Sequence, residues 1–343
     1  MRIEDVRGFN YSGSWGTSGL DLWLHHDSEL MRNEVARGKK YFPGWNVARW
    51  WLSHEAFQRE PARFLRNLED GLAVFESHGI AVMPVLFNRW HDPVCDFGGV
   101  PIDHIAPWMS VHGHPDDFSD ISRRGDPTSI DTLFRTYLED VVSAHTDDPR
   151  IFAWDLCNEP LMGEYVYDPQ DRVRAAEIRW LGWCRNVVRA KGTTAPLTVG
   201  NFFSVAAVRA TLPFSDFISF HPYFVGADKP GGPVRPDPRG SSPLAFEAAL
   251  DEMRELADAA GKSLLASETV WGAMDDAERA KLIAYTLGAL RDREIGFIAH
   301  GLHHSLVADL HAPEFGPVGP PSRMEFIAAD GMMRLGHEIF NDF

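Results

Sequence analysis

The sequence predicts an α/β fold, a single-domain (β/α)8 TIM barrel, and two observations carry this prediction. Eight short apolar runs alternate with helical patterns along the 343 residues, which is the order of elements that a barrel requires. The runs are almost continuously apolar, as expected for parallel strands that are covered on both faces. A doubly wound open sheet is the competing arrangement, but no Gly-x-Gly-x-x-Gly motif follows the first run. We therefore expect one barrel domain over residues 1–343.

The apolar runs give the expected strand positions. In chain order they are Val6–Asn10, Val47–Leu52, Ile80–Phe87, Ile151–Leu156, Leu197–Gly200, Phe217–Phe220, Ser263–Ser267 and Gly296–Ala299. Apolar residues recur at helical spacing between these runs. The clearest predicted helices are Phe57–His78, Ile130–His145, Leu244–Ala260 and Asp275–Arg293. Gly79 and Gly261 follow two of them, at positions typical of helix ends.

The charge and composition exclude several classes of partner. The chain has 49 acidic and 33 basic residues and a net charge of −16, which disfavours nucleic acids and anionic membrane surfaces. No apolar run approaches the roughly 18 residues of a membrane span, and no secretory signal is visible at the N-terminus, so we expect either a cytoplasmic protein or a secreted one whose signal has been removed. Cys95, Cys157 and Cys184 are widely spaced and suggest neither a disulfide framework nor a zinc site. Nothing in the sequence specifies an oligomeric state.

Two glutamates stand at or just past the ends of predicted strands. Glu159 lies in the run Trp-Asp-Leu-Cys-Asn-Glu-Pro at 154–160, and Glu268 ends Leu-Leu-Ala-Ser-Glu at 264–268. In a parallel barrel both carboxylates reach the C-terminal mouth, where active sites lie. Glycoside hydrolysis needs such a pair, because one acid must protonate the leaving oxygen while the other stays ionised.

Other polar side chains also follow the predicted strands. Such residues are expected to converge on one mouth if the fold is a barrel. They are Asn10, Tyr11, Arg49, Asn88, Trp90, His91, Asp92, Asn158, Asn201, His221, Tyr223, His300, His303 and His304. Several tryptophans in predicted loops fit either sugar stacking or a large aromatic core, namely Trp15, Trp23, Trp45, Trp90, Trp108 and Trp271.

With these motifs in order, the chain resembles the clan A glycoside hydrolases and is most similar to family 5, which includes cellulases and mannanases. The resemblance covers nearly the whole chain, and its strength lies in the order of the motifs and not in Asn-Glu-Pro alone. The matching motifs are Arg-Gly-Phe-Asn-Tyr at 7–11, Asn-Val-Ala-Arg-Trp at 46–50, the Asn-Glu-Pro run, Ser-Phe-His-Pro-Tyr at 219–223 and Ala-Ser-Glu at 266–268.

The resemblance implies a role for each matching residue. Glu159 is expected to be the general acid/base and Glu268 the nucleophile that forms a glycosyl-enzyme intermediate. Asn158 is expected to bind the substrate 2-hydroxyl, Tyr223 to orient Glu268, and Arg49 to keep Glu268 ionised.

Further residues are expected to line the sugar site, and one departs from the family pattern. The lining residues are Trp90, His91, His221, Trp271 and His300. Family members usually carry a tryptophan at the end of the eighth strand, whereas His300 stands there in this chain. Trp271 is a candidate to supply the missing aromatic plane.

The sequence therefore predicts a retaining glycoside hydrolase that cleaves a β-linked O-glycosidic bond in oligosaccharides or small glycosides. No cofactor is expected, and retention requires the two carboxyl groups to be about 5–5.5 Å apart. The connections Asn88–Asp126, Pro222–Ser242 and Gly301–Arg323 are long and favour action at a chain end.

Two alternatives from other classes remain open on the residues alone. The 15 histidines, with His112 and His114 close together in one loop, permit a metal-dependent barrel hydrolase of the amidohydrolase type. The second alternative is a noncatalytic carbohydrate-binding relative. The sugar and its linkage are not specified by the sequence.

Overall fold

The computed structural model describes residues 1–89, 99–100, 130–161, 172–225, 240, 242–307, 312–315 and 321–343. Eight parallel strands form a closed barrel in which each strand pairs with its neighbours in chain order, and the last strand pairs with the first. The predicted (β/α)8 barrel is confirmed. All strand C-termini consequently meet at one mouth.

The strands lie where the apolar runs predicted them, with shifted ends. Their bounds are β1 Arg7–Tyr11, β2 Val47–Trp51, β3 Ala81–Val85, β4 Trp154–Asn158, β5 Leu197–Phe202, β6 Ile218–His221, β7 Leu264–Thr269 and β8 Gly296–Ala299. The largest shift is in β4, where Ile151 makes only an isolated bridge to Val82 and the ladder begins at Trp154. Strand β7 runs two residues further than predicted, so Glu268 lies within it.

Helices connect most of the strands. Within the described residues they are α1 Gly19–Leu24, α2 Ser28–Tyr41, α3 His54–Arg59, α4 Pro61–Ser77, α5 Ile130–Ser143, α6 Arg172–Ala190, α7 Val205–Thr211, α8 Pro243–Ala260 and α9 Asp276–Arg291. None of them is long and apolar enough to cross a membrane. Short 3-10 helices occur at Ile3–Asp5, Leu212–Phe214, Pro313–Phe315 and His337–Asp342.

One predicted helix is wrong in its continuity. The segment predicted as a single helix, Phe57–His78, is divided between α3 and α4, and Glu60 between them has an extended φ of −140°. Pro61 causes the break, because proline lacks an N–H donor and disfavours helical geometry in the residue before it. Gly79 and Gly261 follow α4 and α8 with positive φ, as the sequence predicted.

The barrel interior changes from apolar to polar along the strands. A separate cluster of buried residues fills the end where the strands begin, and it includes Val47, Met83, Leu265 and Ile298. The larger apolar core lies between the strands and the helices. Arg49 follows Val47 by two residues, so it lies on the same face of β2, and it is fully buried. The polar site is therefore supported from below by a packed apolar layer.

We predict that Gly296→Ala destabilises the barrel by about 1–3 kcal/mol. A methyl group at Gly296, the first residue of β8, falls on the carbonyl oxygen of Ile3, and this backbone is fixed by the 3-10 helix beneath the barrel. The measurement is the urea midpoint of unfolding followed by tryptophan fluorescence. Gly44→Ala is the matched control, since its methyl group meets no atom within 4 Å. Equal midpoints for the two variants would contradict the steric argument.

Candidate active site

Both glutamates stand where the strand ladder is irregular. The β4–β5 register shifts between Asp155 and Asn158, and the β7–β8 register shifts between Ala266 and Thr269. Glu159 follows β4 with a φ of 46°, a left-handed conformation that non-glycine residues rarely adopt. Its N–H donates to the carbonyl of Gly200 on β5 at 2.7 Å, which holds this backbone in place. These irregularities turn the two side chains toward the mouth of the barrel.

Glu268 accepts hydrogen bonds at both carboxylate oxygens. Arg49 Nη1 donates to Oε2 at 2.9 Å, and the Tyr223 hydroxyl donates to Oε1 at 2.7 Å. His221 Nδ1 lies 3.9 Å from Oε2, and His300 Nδ1 lies 4.0 Å from Oε1. The carboxylate is therefore surrounded by hydrogen-bond donors and histidines, with 12% of its side chain exposed.

Glu159 lies close to Glu268 but has a different neighbour. Its Oε1 is 2.8 Å from Nδ1 of His221, whose side chain is completely buried. One carboxylate oxygen from each glutamate and one ring nitrogen of His221 all lie within 4.8 Å of one another. This separation is shorter than the gap of about 6.5–9.5 Å that inverting glycosidases leave between their carboxyl groups for a water molecule.

Arg49 organises the base of the site. All five of its N–H donors are matched by five hydrogen bonds, two of them to Oδ2 of Asp155 at 2.8 and 3.0 Å. The other three reach Asn10, Asn158 and Glu268 at 2.8–3.0 Å. The guanidinium therefore joins strands β1, β2, β4 and β7 at one depth in the barrel.

The electrostatic balance keeps Glu268 ionised. Burial alone raises its pKa, but electrostatic interactions with two histidines and with Arg49 outweigh burial, so the pKa of Glu268 is lowered below its ordinary value. The histidines are His221 and His300. Burial and the neighbouring Glu268 charge raise the pKa of Tyr223 well above its usual value, so its hydroxyl remains a donor.

The structure brings most of the predicted site residues together. Arg49, Asn158, Glu159, His221, Tyr223, Glu268 and His300 are connected by the contacts just described. Trp271 packs edge-on against the Tyr223 ring with centroids 5.1 Å apart. Trp90 and His91 lie outside the described residues, as do Trp108, His112 and His114.

Some of the strand-end polar residues and loop tryptophans lie away from the mouth. Asn201 accepts a hydrogen bond from Thr211 of α7, so its side chain faces the helix layer and not the mouth. His303 contacts Arg37 of α2 at 3.0 Å. Trp23 and Trp45 are 3% and 0% exposed and belong to the core, because sequence position in a loop does not reveal burial.

Sequence reasoning missed two residues that contact the site. Asp155 lies within the apolar run that predicts β4, and an ionisable residue within a buried strand signals an internal ion-pair partner. Trp51 stacks on the Arg49 guanidinium at 4.9 Å and meets the His300 ring edge-on at 6.1 Å. Its position two residues beyond Arg49 on β2 is the signal that places both side chains on the same face.

The cluster Glu159, His221 and Glu268 offers atoms of the kind that bind a metal ion. In this arrangement, however, both oxygens of Glu268 already accept hydrogen bonds, and one of them faces the Arg49 cation at 2.9 Å. A metal ion would have to bind beside that fixed positive charge. The chemistry of this donor set therefore fits a hydrogen-bonded acid pair better than a metal centre.

The closed barrel and its paired strand-end glutamates resemble those of the clan A glycoside hydrolases, as the motifs predicted. No protein-family model matches the chain. Comparison with known proteins nevertheless confirms the resemblance to family 5.

Among sequence relatives, the chain is 31% identical over 96 residues to a probable mannan endo-1,4-beta-mannosidase A-1 of Aspergillus terreus (strain NIH 2624 / FGSC A1156). The match covers 28% of this chain and 21% of that protein, well under two thirds of the relative's length.

Solved structures match over almost the whole barrel. A GH5_18 variant from Streptomyces cattleya in complex with Manβ1-4GlcNAc has a TM-score of 0.69 at 14% identity and covers 98% of this chain and 79% of its own. An exo-beta-1,4-mannosidase from Opitutaceae bacterium strain TAV5 has a TM-score of 0.68 at 17% identity and covers 98% of this chain and 58% of its own. At these identities the structural likeness establishes the fold.

We predict that Arg49→Met lowers the free energy of unfolding by about 3–5 kcal/mol, because it leaves Asp155 and Glu268 as buried charges without their partner. The urea midpoint at neutral pH measures the loss. Arg63→Met is the matched control, since Arg63 forms an exposed ion pair with Glu60 and such pairs contribute at most about 1 kcal/mol. A loss no larger than that of the control would show that Arg49 does not compensate these carboxylates.

Proposed function

We propose that the protein is a retaining β-glycoside hydrolase that acts on β-mannosides through a covalent glycosyl-enzyme intermediate. The observation that carries the proposal is that one carboxylate oxygen of Glu159 lies within 4.8 Å of one carboxylate oxygen of Glu268, while each acid has different neighbours. Retaining enzymes use carboxyl groups about 5–5.5 Å apart, whereas inverting enzymes leave a gap of about 6.5–9.5 Å for a water molecule.

The unequal environments suggest how the two acids divide the work. Glu268 has a lowered pKa and accepts hydrogen bonds from Arg49 and Tyr223, so it suits the nucleophile that attacks the anomeric carbon. Glu159 has no cationic arginine among its described contacts and lies against His221, so it suits the acid that protonates the leaving oxygen. In the second half-reaction, Glu159 takes a proton from the water that attacks the intermediate.

Neighbouring side chains suit the sugar. Asn158 has one amide N–H bonded to Asn88, and its second N–H has no acceptor among the described residues, so it can donate to the substrate 2-hydroxyl. Trp51 and Trp271 are partly buried aromatic residues at strand ends, and His300 lies close to both Trp51 and Glu268. These residues support an aromatic-lined subsite even though His300 stands where family members usually carry tryptophan.

The choice of β-mannosides rests on the relatives. The sequence match is to a mannan endo-1,4-beta-mannosidase, and the structural matches include an exo-beta-1,4-mannosidase and a complex with Manβ1-4GlcNAc. A panel of 4-nitrophenyl β-glycosides and manno-oligosaccharides tests this choice. Faster turnover of β-glucosides than of β-mannosides would replace mannose in the proposal and leave the mechanism intact.

Glu268→Gly is expected to lose at least about 10³-fold in kcat and to recover activity in azide. The glycine leaves space for azide, which attacks the anomeric carbon from the vacated side and gives a glycosyl azide of inverted configuration. Product stereochemistry by NMR is the measurement, and wild type in azide is the control. A folded variant that azide does not rescue would contradict the nucleophile role.

Glu159→Ala is expected to slow substrates in proportion to the basicity of their leaving groups. Aryl glycosides with acidic phenols need little protonation, so their glycosylation rates should fall far less than those of manno-oligosaccharides. The measurement is kcat/KM for a series of aryl β-mannosides. An equal loss across the series would reject Glu159 as the general acid.

A further inference from the structure

Asp155 is a completely buried carboxylate that accepts four hydrogen bonds from described residues. Its Oδ2 accepts from Nε and Nη2 of Arg49, and its Oδ1 accepts from the backbone N–H groups of Gly200 and Cys157 at 2.9 and 3.2 Å. A carboxyl proton would have to point at one of these four donors. Burial raises the pKa of Asp155, and the charge of Arg49 opposes that rise. Because all four contacts are donors, the hydrogen-bond geometry fits the ionised carboxylate.

Asp155 and Glu268 share a single guanidinium. Arg49 presents its Nε/Nη2 edge to Asp155 and its Nη1 to Glu268, and its five N–H donors are all used. The two hydrogen bonds from the Nε/Nη2 edge to Asp155 consequently also fix the position of Nη1 against Glu268. Such a fixed orientation is possible for arginine because its donors lie in one rigid plane.

The space for this pair is provided by Gly200 on β5. A methyl group there would lie 2.7 Å from Asp155 Oδ2 and 2.8 Å from Arg49 Nη2, closer than a side chain permits. The glycine also donates its N–H to Asp155. A larger residue at position 200 would therefore displace the ion pair between Asp155 and Arg49.

The shared guanidinium also sets the charge that Glu268 experiences. Among the described residues, the charged or titratable groups that face Glu268 are Arg49 from β2, Glu159 at the end of β4, His221 and Tyr223 from β6 and the residues after it, and His300 after β8. Asp155 acts on Glu268 through Arg49, whose positive charge it partly offsets. Without that offset, Arg49 would stabilise the Glu268 carboxylate more strongly and weaken it as a nucleophile.

We propose that Asp155 is a positioning residue for the nucleophile. It aligns Arg49, which keeps Glu268 ionised, and it offsets part of the Arg49 charge, which keeps Glu268 reactive. This inference rests on the proposed function. In the first half-reaction, a Glu268 oxygen bonds to the anomeric carbon as the bond to the leaving group breaks. In the second, water attacks the anomeric carbon, Glu159 takes its proton, and the bond to Glu268 breaks.

Asp155→Asn removes the negative charge but keeps an oxygen that can accept both hydrogen bonds from Arg49, so the alignment is retained and the two half-reactions should respond in opposite directions. A more strongly stabilised carboxylate attacks more slowly but leaves more rapidly. The probe is 2-deoxy-2-fluoro-β-D-mannosyl fluoride, or its counterpart in the sugar that the glycoside panel identifies. Intact-protein mass spectrometry follows labelling of Glu268, and recovery of activity after removal of the probe follows release of the sugar. We expect labelling at least 10-fold slower and release at least 3-fold faster than in wild type.

Asp148→Asn is the matched control. Asp148 is a largely buried aspartate paired with Arg150 at 2.7 Å, and it precedes β4 at the opposite end of the barrel. It receives the same substitution in the same kind of ion pair, and both rates should stay within twofold of wild type. A loss of stability in both variants with a change of rates in Asp155→Asn alone would separate positioning from folding.

The outcomes are distinguishable. Rates that are both unchanged, or that both fall, in folded Asp155→Asn would overturn the inference and leave the proposed function standing. Wild type that is neither active on the panel nor labelled at Glu268 would overturn both. If Asp155→Asn does not fold, Arg49→Met is compared with Arg49→Met/Asp155→Asn, which removes both charges. The two should label at the same rate, and slower labelling of the double variant would show that Asp155 does not act through Arg49.

Discussion

The site depends on one buried cation. Arg49 lies between two carboxylates, Asp155 and Glu268, and its five hydrogen bonds join residues from four strands. A buried arginine is tolerated only when its charge and all its donors are matched, and here each is. The same contacts that make the cation tolerable fix the direction of the proposed nucleophile. Stability of the barrel mouth and reactivity of Glu268 are therefore set by the same few bonds.

The barrel could be predicted because its strands are apolar on both faces and therefore stand out from the helical patterns between them. The site could be predicted because strand ends of a closed parallel barrel converge, so order along the chain becomes proximity in space. What could not be predicted depends on side-chain direction. Asn201, like Asn158, lies near the end of a predicted strand, yet its side chain faces α7. Trp45 lies in a predicted loop but is fully buried. The break at Pro61 was visible in the sequence, but the apolar periodicity continued across it.

The relatives show how little sequence the fold requires. The matched stretch of the fungal mannosidase covers 28% of the chain, whereas the structural neighbours cover 98% at 14–17% identity. The motifs that carry the resemblance supply the residues of the polar network around Glu268. His300 departs from that pattern, and its ring lies next to Trp51, so the aromatic surface near Glu268 is built from different elements in this chain. Substrate preference is the property most exposed to such a change, because subsite contacts act on the sugar directly.

The register shifts beside the two glutamates have a consequence for protein engineering. Glu159 and Glu268 both stand where a strand loses its regular pairing, and Glu159 also has a left-handed backbone. An idealised barrel with regular strands would present side chains at these positions along different directions. Grafting the polar side chains alone onto such a scaffold would leave the two carboxylates misdirected. A designed catalyst of this kind must copy the irregular backbone first and the residues second.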